Sequence, residues 1–426
     1  MRTLTRWLPQ RVHYAWVVAA VIFVTLLAAV GVRATPSVLI VPLEQAFGWS
    51  SGTISLAISI NIILYGLIGP FAAALMQQLG IRRTVLLALT LLSGSVAAST
   101  FMTEPWQLVL SWGLAVGLGS GVVALVLGAM IVNRWFAKHQ GLVMGIITAS
   151  TATGQLVFLP MLAAVAQNHG WRPVVWIAAL GAAAMIPLVA LLVPESPAAI
   201  GLKPYGAAED AEIAAPVRAN PLTVAFATLG RAAKSTGFWL LFASFFVCGA
   251  STNGLIGTHL ISYCFDHGIP EVEGAGLLAA MGVFDLIGTT ASGWLSDRFD
   301  SRWLLFWYYG LRGLSLLYLP YSGFSLYGLS LFAVFYGLDW VATVPPTVRL
   351  ANELFGRKDA PIIFGWLLAG HQLGAGATAL EAGLLRTALG SYLVPVLISG
   401  GLCVMTALIV LRIRRGRAGE LEPVPA

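Results

Sequence analysis

Long apolar runs separated by short polar turns dominate the chain. A transmembrane helix needs about 20 predominantly apolar residues, and runs of that length predict twelve spans. We place them at 14–40, 51–76, 84–101, 106–133, 141–166, 172–193, 237–264, 273–296, 302–320, 325–351, 360–386 and 390–411. The one long polar connection, 194–236, is rich in proline. The pattern predicts an all-α integral membrane protein with an N-terminal half at 1–193, a cytoplasmic linker at 194–236, a C-terminal half at 237–412 and a cytoplasmic tail at 413–426.

The two halves carry faint copies of one sequence, displaced by 220 positions (from 73 to 293). The segment 293–302, between spans 8 and 9, falls on 73–82, between spans 2 and 3. The same displacement superimposes three pairs of glycines: Gly145 on Gly365, Gly154 on Gly374, and Gly170 on Gly390. Duplicated halves built from membrane-length runs are typical of transporters. We therefore expect two six-helix halves related by a pseudo-two-fold repeat, moving a small solute by alternating access.

Composition supports a membrane protein. Hydrophobic residues make up 58% and charged residues 10% of the chain, against about 45–50% and 25% in soluble domains, so lipid must cover much of the apolar surface. All but four of the 24 Lys and Arg residues fall in segments on the same side as the N-terminus; the exceptions are Arg33, Arg172, Arg312 and Arg386. Positive loops remain inside. We therefore expect a bacterial-type inner (plasma) membrane protein with both termini cytoplasmic.

Other classes of protein lack support in the sequence. The basic residues are spread over many short loops, which argues against a nucleic-acid-binding face. Three cysteines sit in or beside apolar runs without metal-ligand spacing, and no His-Glu-x-x-His motif or serine–histidine pair indicates an enzyme. We expect no metal and no cofactor. The expected partners are the lipid bilayer, a small-molecule substrate and protons, with a functional monomer.

The segment Gly293-Trp294-Leu295-Ser296-Asp297-Arg298-Phe299-Asp300-Ser301-Arg302 resembles the loop signature of the major facilitator superfamily, Gly-x-Leu-x-Asp-Arg-x-Gly-x-Arg. Only Asp300 departs from it, at the second glycine. The resemblance implies an ion-pair latch between helix ends of the two halves, formed by Gly293, Asp297, Arg298 and Arg302. In the first-half copy Gly80 and Arg82 remain, but Gln77 replaces the acid, so we expect a weaker latch there.

Within that superfamily the chain is most similar to the monocarboxylate-porter group and its bacterial relatives. The resemblance rests on Trp16-Val17-Val18, Phe47-Gly48-Trp49-Ser50, Arg134-Trp135-Phe136-Ala137-Lys138, Gly170-Trp171-Arg172 and Asp285. Two positions differ from that group: Thr289 stands where those carriers have an arginine, and Ser37 stands where they have a lysine. The resemblance implies a carrier of small organic solutes, and a lactate-like substrate does not follow from it.

Three charged residues share the mid-membrane layer, counting about 1.5 Å per residue from the helix ends. They are Asp285 in span 8, Arg312 in span 9 and Asp339 in span 10. Buried charges in a membrane are costly and mark either a functional site or a fixed pair. One arginine cannot neutralise two aspartates, so we expect one aspartate to carry a coupling proton. Arg312 is then the charge partner of the other and stabilises the packing of span 9.

Further polar side chains lie on spans that line the cavity in this fold. The candidate substrate-binding residues are Arg33, Asn61, Gln155, Asn253, His371 and Gln372. Arg33 is either an anion anchor or a side chain that snorkels to the headgroups. Each of the others is either a substrate ligand or a helix–helix hydrogen bond. We expect a proton-coupled secondary transporter for a small organic solute, with an organic anion as one candidate. The alternatives are an exporter of an amphipathic compound and a transporter-derived membrane receptor or sensor.

Overall fold

The computed structural model describes residues 13–207 and 221–413. Twelve helical segments, α1 to α12, correspond to predicted spans 1 to 12. Residues 1–12, the middle of the predicted linker and nearly all of the predicted tail lie outside the described residues.

The N-terminal half consists of α1 (Tyr14–Phe47), α2 (Ser51–Leu67 with Gly69–Gln78), α3 (Ile81–Ala98), α4 (Pro105–Trp135), α5 (Gln140–His169) and α6 (Trp171–Leu192). A short linker helix, Pro221–Ala232, precedes the second half. That half consists of α7 (Thr236–Asp266), α8 (Glu271–Ser296), α9 (Ser301–Tyr318), α10 (Leu326–Asp339, resuming at 344–355), α11 (357–389) and α12 (Leu393–Val410).

The length and hydropathy of these helices support the predicted spans. Among the described residues, nine helices are long and apolar enough to cross a membrane, and α2 makes a tenth although it bends by 56° between its two parts. Helices α9 and α11 complete the twelve. A sharp turn at Gly356, with φ of 77°, separates α11 from α10. Because a positive φ strains any residue with a Cβ atom, glycine suits this turn.

The helix contacts repeat from one half to the other. In the N-terminal half α1 packs on α5, α2 on α4, and α3 on α6; in the C-terminal half α7 packs on α11, α8 on α10, and α9 on α12. The glycine pairs of the sequence repeat have matching roles. Gly154 lets α5 approach Val30 of α1, and Gly374 lets α11 approach Phe246 of α7. Gly170 and Gly390 end their helices with φ of 77° and 68°. These equivalences confirm the pseudo-two-fold repeat.

The halves meet mainly where α2 packs against α11 and where α5 packs against α8. We call the end of the bundle that holds the start of α1 and the end of α12 the basic end, and the other the opposite end. At the opposite end the Gly52 N–H donates to Thr387 Oγ1 at 3.0 Å. Farther along, Gly383 lies against Ser55, and Gly66 lies against Gln372. The α2–α11 contact therefore runs from the opposite end to the middle of the bundle, close to the bend in α2.

Candidate substrate cavity

A cavity of about 100 Å³ lies between the two halves. It is lined from both of them, and five of the six predicted substrate-binding residues are on its wall, together with one of the two predicted aspartates: Arg33, Asn61, Gln155, Asn253, Gln372 and Asp285. Pockets for drug-sized ligands span about 300–1,000 Å³. The volume of this cavity is below that range.

Arg33 points into this cavity from α1. Its guanidinium carbon lies 3.8 Å from the centre of the Tyr65 ring of α2, which is a cation–π contact. In this conformation the Arg33 guanidinium therefore lies at the cavity wall, packed against an aromatic ring. The ring covers one face of the guanidinium while its N–H groups at the edge remain able to donate to an anion.

The amide side chains of the cavity differ in how many of their hydrogen-bonding groups already have a partner in the protein. Asn61 is buried and its Nδ2 donates to Trp112 O at 2.6 Å, in a π-helical turn of α4 (Val109–Ala115). Gln372 is also buried, and its Oε1 has no hydrogen-bond partner. Asn253 lies in a π-helical turn of α7 (Ala250–Ile256), a feature frequent at functional sites. Among the described residues, no side-chain hydrogen bond of Gln155 or Asn253 is formed, so both can turn toward a solute.

Among the residues that the structure describes, the carboxylate on the cavity wall belongs to Asp285 of α8. Its Oδ1 accepts hydrogen bonds from Thr289 Oγ1 at 2.8 Å and from the Val341 N–H of α10 at 2.9 Å. Thr289 is the residue that replaces the arginine of the monocarboxylate-porter group. Here it supplies a neutral hydrogen bond where an arginine would supply a charge, so Asp285 lacks an ion pair among the described residues.

Arg312 pairs with the other aspartate, away from the cavity wall. Its Nε lies 2.6 Å from Asp339 Oδ2, and both side chains are almost fully buried. The same guanidinium donates to Asp339 O, to Trp340 O and to Cys248 Sγ, which lies 2.9 Å away. Burial of the charge is offset by this set of acceptors. The structure therefore assigns Arg312 to Asp339 and leaves Asp285 facing the cavity.

His371 is the predicted substrate-binding residue that the structure does not bring to the cavity. It lies inside the C-terminal half, where its ring centre is 5.1 Å from that of Phe245, and its Nδ1 has no hydrogen-bond partner. Its backbone is in close contact with Gly249 of α7. Helix periodicity explains the difference, because His371 and Gln372 are about 100° apart around α11 and only one of them can face the cavity.

The second-half signature loop lies at the basic end and makes its described contacts within the C-terminal half. Asp297 Oδ1 lies 3.8 Å from Arg349 of α10, and the Asp297 side chain is 82% exposed. Arg298 stacks on Trp294, with the guanidinium carbon 4.0 Å from the ring centre. Arg302 pairs with Asp300 at 2.6 Å. Gly293 has open space where a Cβ would be. The predicted contact between the two halves is not among these contacts in this conformation.

The loop between α2 and α3 binds the carboxylate of Glu195, a residue that the sequence did not predict to have a role there. Glu195, just beyond α6, accepts from the Ile81 and Arg82 backbone N–H groups at 2.6 and 3.2 Å and pairs with Arg134 of α4 at 3.0 Å. It therefore caps α3 directly after Gly80, whose φ is 92°. The Arg82 side chain donates to Ala190 O of α6. The sequence did contain a signal for this role of Glu195. It is an acidic residue directly after the last span of the N-terminal half, at the same end of the bundle as Arg134.

Two repeated six-helix halves around a polar central cavity are the architecture of a membrane transporter built from internal repeats. The model of the Major Facilitator Superfamily matches residues 21–346, and the chain belongs to that family.

Relatives in sequence and structure are transporters as well. The chain is 26% identical over 385 residues to the uncharacterized MFS-type transporter YcxA of Bacillus subtilis, covering 86% of this chain and 87% of that protein. It is 25% identical over 395 residues to monocarboxylate transporter 13 of Rattus norvegicus, covering 91% and 86%. A bacterial homologue of the human lysosomal transporter Spinster, in an inward-facing and unoccupied conformation, superimposes with a TM-score of 0.72 at 15% identity, covering 93% and 95%. A D-xylose–proton symporter gives 0.71 at 14% identity, covering 94% and 98%.

Proposed function

We propose that this protein is a proton-coupled secondary transporter that moves a small organic anion by alternating access of its two halves. The observation that carries the proposal is the cavity, in which Arg33 from one half and Asp285 from the other share a wall with neutral amides. Relatives named as monocarboxylate transporters support a small organic anion as the substrate class. We further propose that the basic end is cytoplasmic, since positively charged loops are retained there.

Arg33 is proposed as the anion anchor. A charge-assisted hydrogen bond contributes about 1.5–3 kcal/mol, so its loss weakens binding by about 10- to 150-fold. Arg33→Gln should raise the KM for the anion by a factor in that range. Tyr65→Phe is the matched control, because it keeps the aromatic face under the guanidinium and removes only a hydroxyl.

Asp285 is proposed as the proton site, because it faces the cavity and Arg312 is committed to Asp339. A proton on Asp285 would remove its charge from a cavity that takes up an anion. Asp285→Asn imitates the protonated form permanently. It should therefore retain exchange of substrate for substrate while losing accumulation driven by a pH gradient.

The test is transport by the purified protein in liposomes, with radiolabelled pyruvate, lactate and benzoate supplied under an imposed pH gradient. Accumulation that collapses with the gradient and is lost in Asp285→Asn supports the proposal. Binding of these anions without movement would favour a receptor of transporter descent. Accumulation by Asp285→Asn equal to that of the unmodified protein would exclude Asp285 as the proton site.

Alternating access has its own test. Cysteines at positions 52 and 387 replace residues that are hydrogen-bonded across the halves at the opposite end. They should crosslink in the conformation seen here, and cysteines at the basic ends of α4 and α10 should crosslink in the other conformation. Equal crosslinking of both pairs, with and without substrate or a pH gradient, would show that the halves do not rock.

A further inference from the structure

Helix α10 is interrupted beside the proposed proton site. Regular α-helix ends at Asp339 and resumes at Val344, and residues 340–343 between them form turns. Pro345 and Pro346 follow directly. Because proline has no backbone N–H, Val341 O and Ala342 O cannot receive the hydrogen bonds that a continuous helix would give them. In a buried membrane segment these groups need other partners.

Each carbonyl from Asp339 to Ala342 has such a partner. Asp339 O and Trp340 O accept from Arg312 of α9, at 2.5 and 3.2 Å. Val341 O accepts from the Val344 N–H at 2.9 Å. Ala342 O accepts from Ser292 Oγ of α8 at 2.5 Å. The interruption is therefore a fixed structure, held from two neighbouring helices.

One backbone donor of the interruption points at the cavity carboxylate, since the Val341 N–H donates to Asp285 Oδ1 at 2.9 Å. Ser292 lies two turns beyond Asp285 on the same helix and holds the next peptide along α10. The side chains of Asp285 and Ser292 thus bind consecutive residues of the interruption, one at the N–H of Val341 and one at the carbonyl of Ala342.

We propose that Ser292 is a positioning residue for the Asp285 proton site. By holding Ala342 O it keeps the Val341 N–H directed at Asp285 Oδ1, and a hydrogen bond donated to a carboxylate favours its ionised form. Ser292 thereby sets the pH at which Asp285 takes up a proton. The inference rests on the proton role of Asp285 proposed above. Ser292 does not line the cavity. Its hydroxyl contacts the interruption of α10 and the uncharged Tyr308 hydroxyl of α9.

Other charged or titratable groups face Asp285 from the surrounding helices. They are Arg33 of α1, Cys248 of α7, Arg312 of α9 and Asp339 of α10. Removing the Ser292 hydroxyl replaces none of these groups. A change in the proton uptake of Asp285 would therefore report on the hydrogen bond from Val341 and not on an altered neighbouring charge.

The experiment is an infrared pH titration of the purified full-length protein in lipid, without substrate. The carboxyl band of Asp285 is identified as the one missing from Asp285→Asn. In Ser292→Ala the hydrogen bond from the Val341 N–H to Asp285 should be lost or weakened. The midpoint, which is the pH at which half of the Asp285 band has titrated, should then rise by about 0.5–1 unit. Ser292→Thr, which restores the hydroxyl, should return the midpoint to that of the unmodified protein. Thr290→Ala should leave it unchanged, since Thr290 bonds only its own helix on an exposed face.

The outcomes separate this inference from the proposed function. An Asp285 band with the same midpoint in Ser292→Ala, or an equal rise in Thr290→Ala, would overturn the positioning role and leave the proton site standing. Absence of any titrating Asp285 band in the unmodified protein would overturn the proton site and the inference together. If Ser292→Ala does not fold, Ser292→Cys takes its place, and its weaker donor should give a smaller rise in the midpoint.

Discussion

Replacing Asp339 by asparagine should destabilise the protein through the charge left on Arg312. The guanidinium is fully buried and loses its ion-pair partner, while its contacts with Asp339 O, Trp340 O and Cys248 Sγ remain. Breaking a buried pair by removing one partner costs about 3–5 kcal/mol. Since asparagine still offers an acceptor, we expect the lower end, about 3 kcal/mol. That is a large fraction of a typical stability of about 5–15 kcal/mol, so expression should fall.

The assay is thermal unfolding in detergent, followed by intrinsic fluorescence. At about 2–4 °C per kcal/mol, the midpoint for Asp339→Asn should fall by about 6–12 °C. Asp285→Asn is the matched control and should change the midpoint little, because Asp285 is bonded to neutral donors and faces the cavity. Arg312→Met combined with Asp339→Leu should recover most of the loss, since apolar side chains can replace a buried pair. An unchanged midpoint for Asp339→Asn, or an equal fall for Asp285→Asn, would refute the reasoning.

Two further changes test the loop and the contact between the halves. Asp297→Asn should lower the transport rate while leaving the unfolding temperature within about 4 °C, because an exposed pair at 3.8 Å contributes at most about 1 kcal/mol; full activity would show that the loop is not a latch. Gly383→Val should disfavour the conformation seen here, because a Cβ at Gly383 would lie 2.2 Å from Ser55 Oγ across the halves. Gly365→Val on the same helix meets open space and serves as its control, and equal crosslinking between positions 52 and 387 in both variants would contradict the expectation.

The sequence was sufficient for the architecture because the lengths of apolar runs and the spacing of the repeat are local or periodic properties. Runs of about 20 apolar residues predict membrane spans wherever they occur. The 220-residue displacement predicted two equivalent halves, and Gly154 and Gly374 do lie at the equivalent α5–α1 and α11–α7 crossings. Depth in the membrane could also be counted along each helix, which placed Asp285, Arg312 and Asp339 in one layer.

Depth could not decide which way each side chain faces. Arg312 lay at a similar height to both aspartates, and its choice of Asp339 depends on how α9 and α10 are rotated against each other. The rotation of α11 about its own axis likewise turns Gln372 toward the cavity and His371 toward Phe245. The position of Glu195 after the last span of its half was visible in the sequence, but its bonds to α3 and α4 depend on how closely these helices approach the end of α6.

The interruption of α10 shows most clearly what the sequence determines and what the tertiary structure decides. From Pro345 and Pro346 in the sequence it follows that two backbone carbonyls of α10 lack the N–H donors of a regular helix. Only the folded bundle determined that Arg312 would bind the carbonyls of Asp339 and Trp340 and that Ser292 would bind the carbonyl of Ala342. It also determined that the Val341 N–H would donate to Asp285. The sequence by itself thus determines the helices and the halves, because apolar length and periodicity act within one segment. Tertiary structure decides the site, because a hydrogen bond between helices depends on the distance and direction that packing sets.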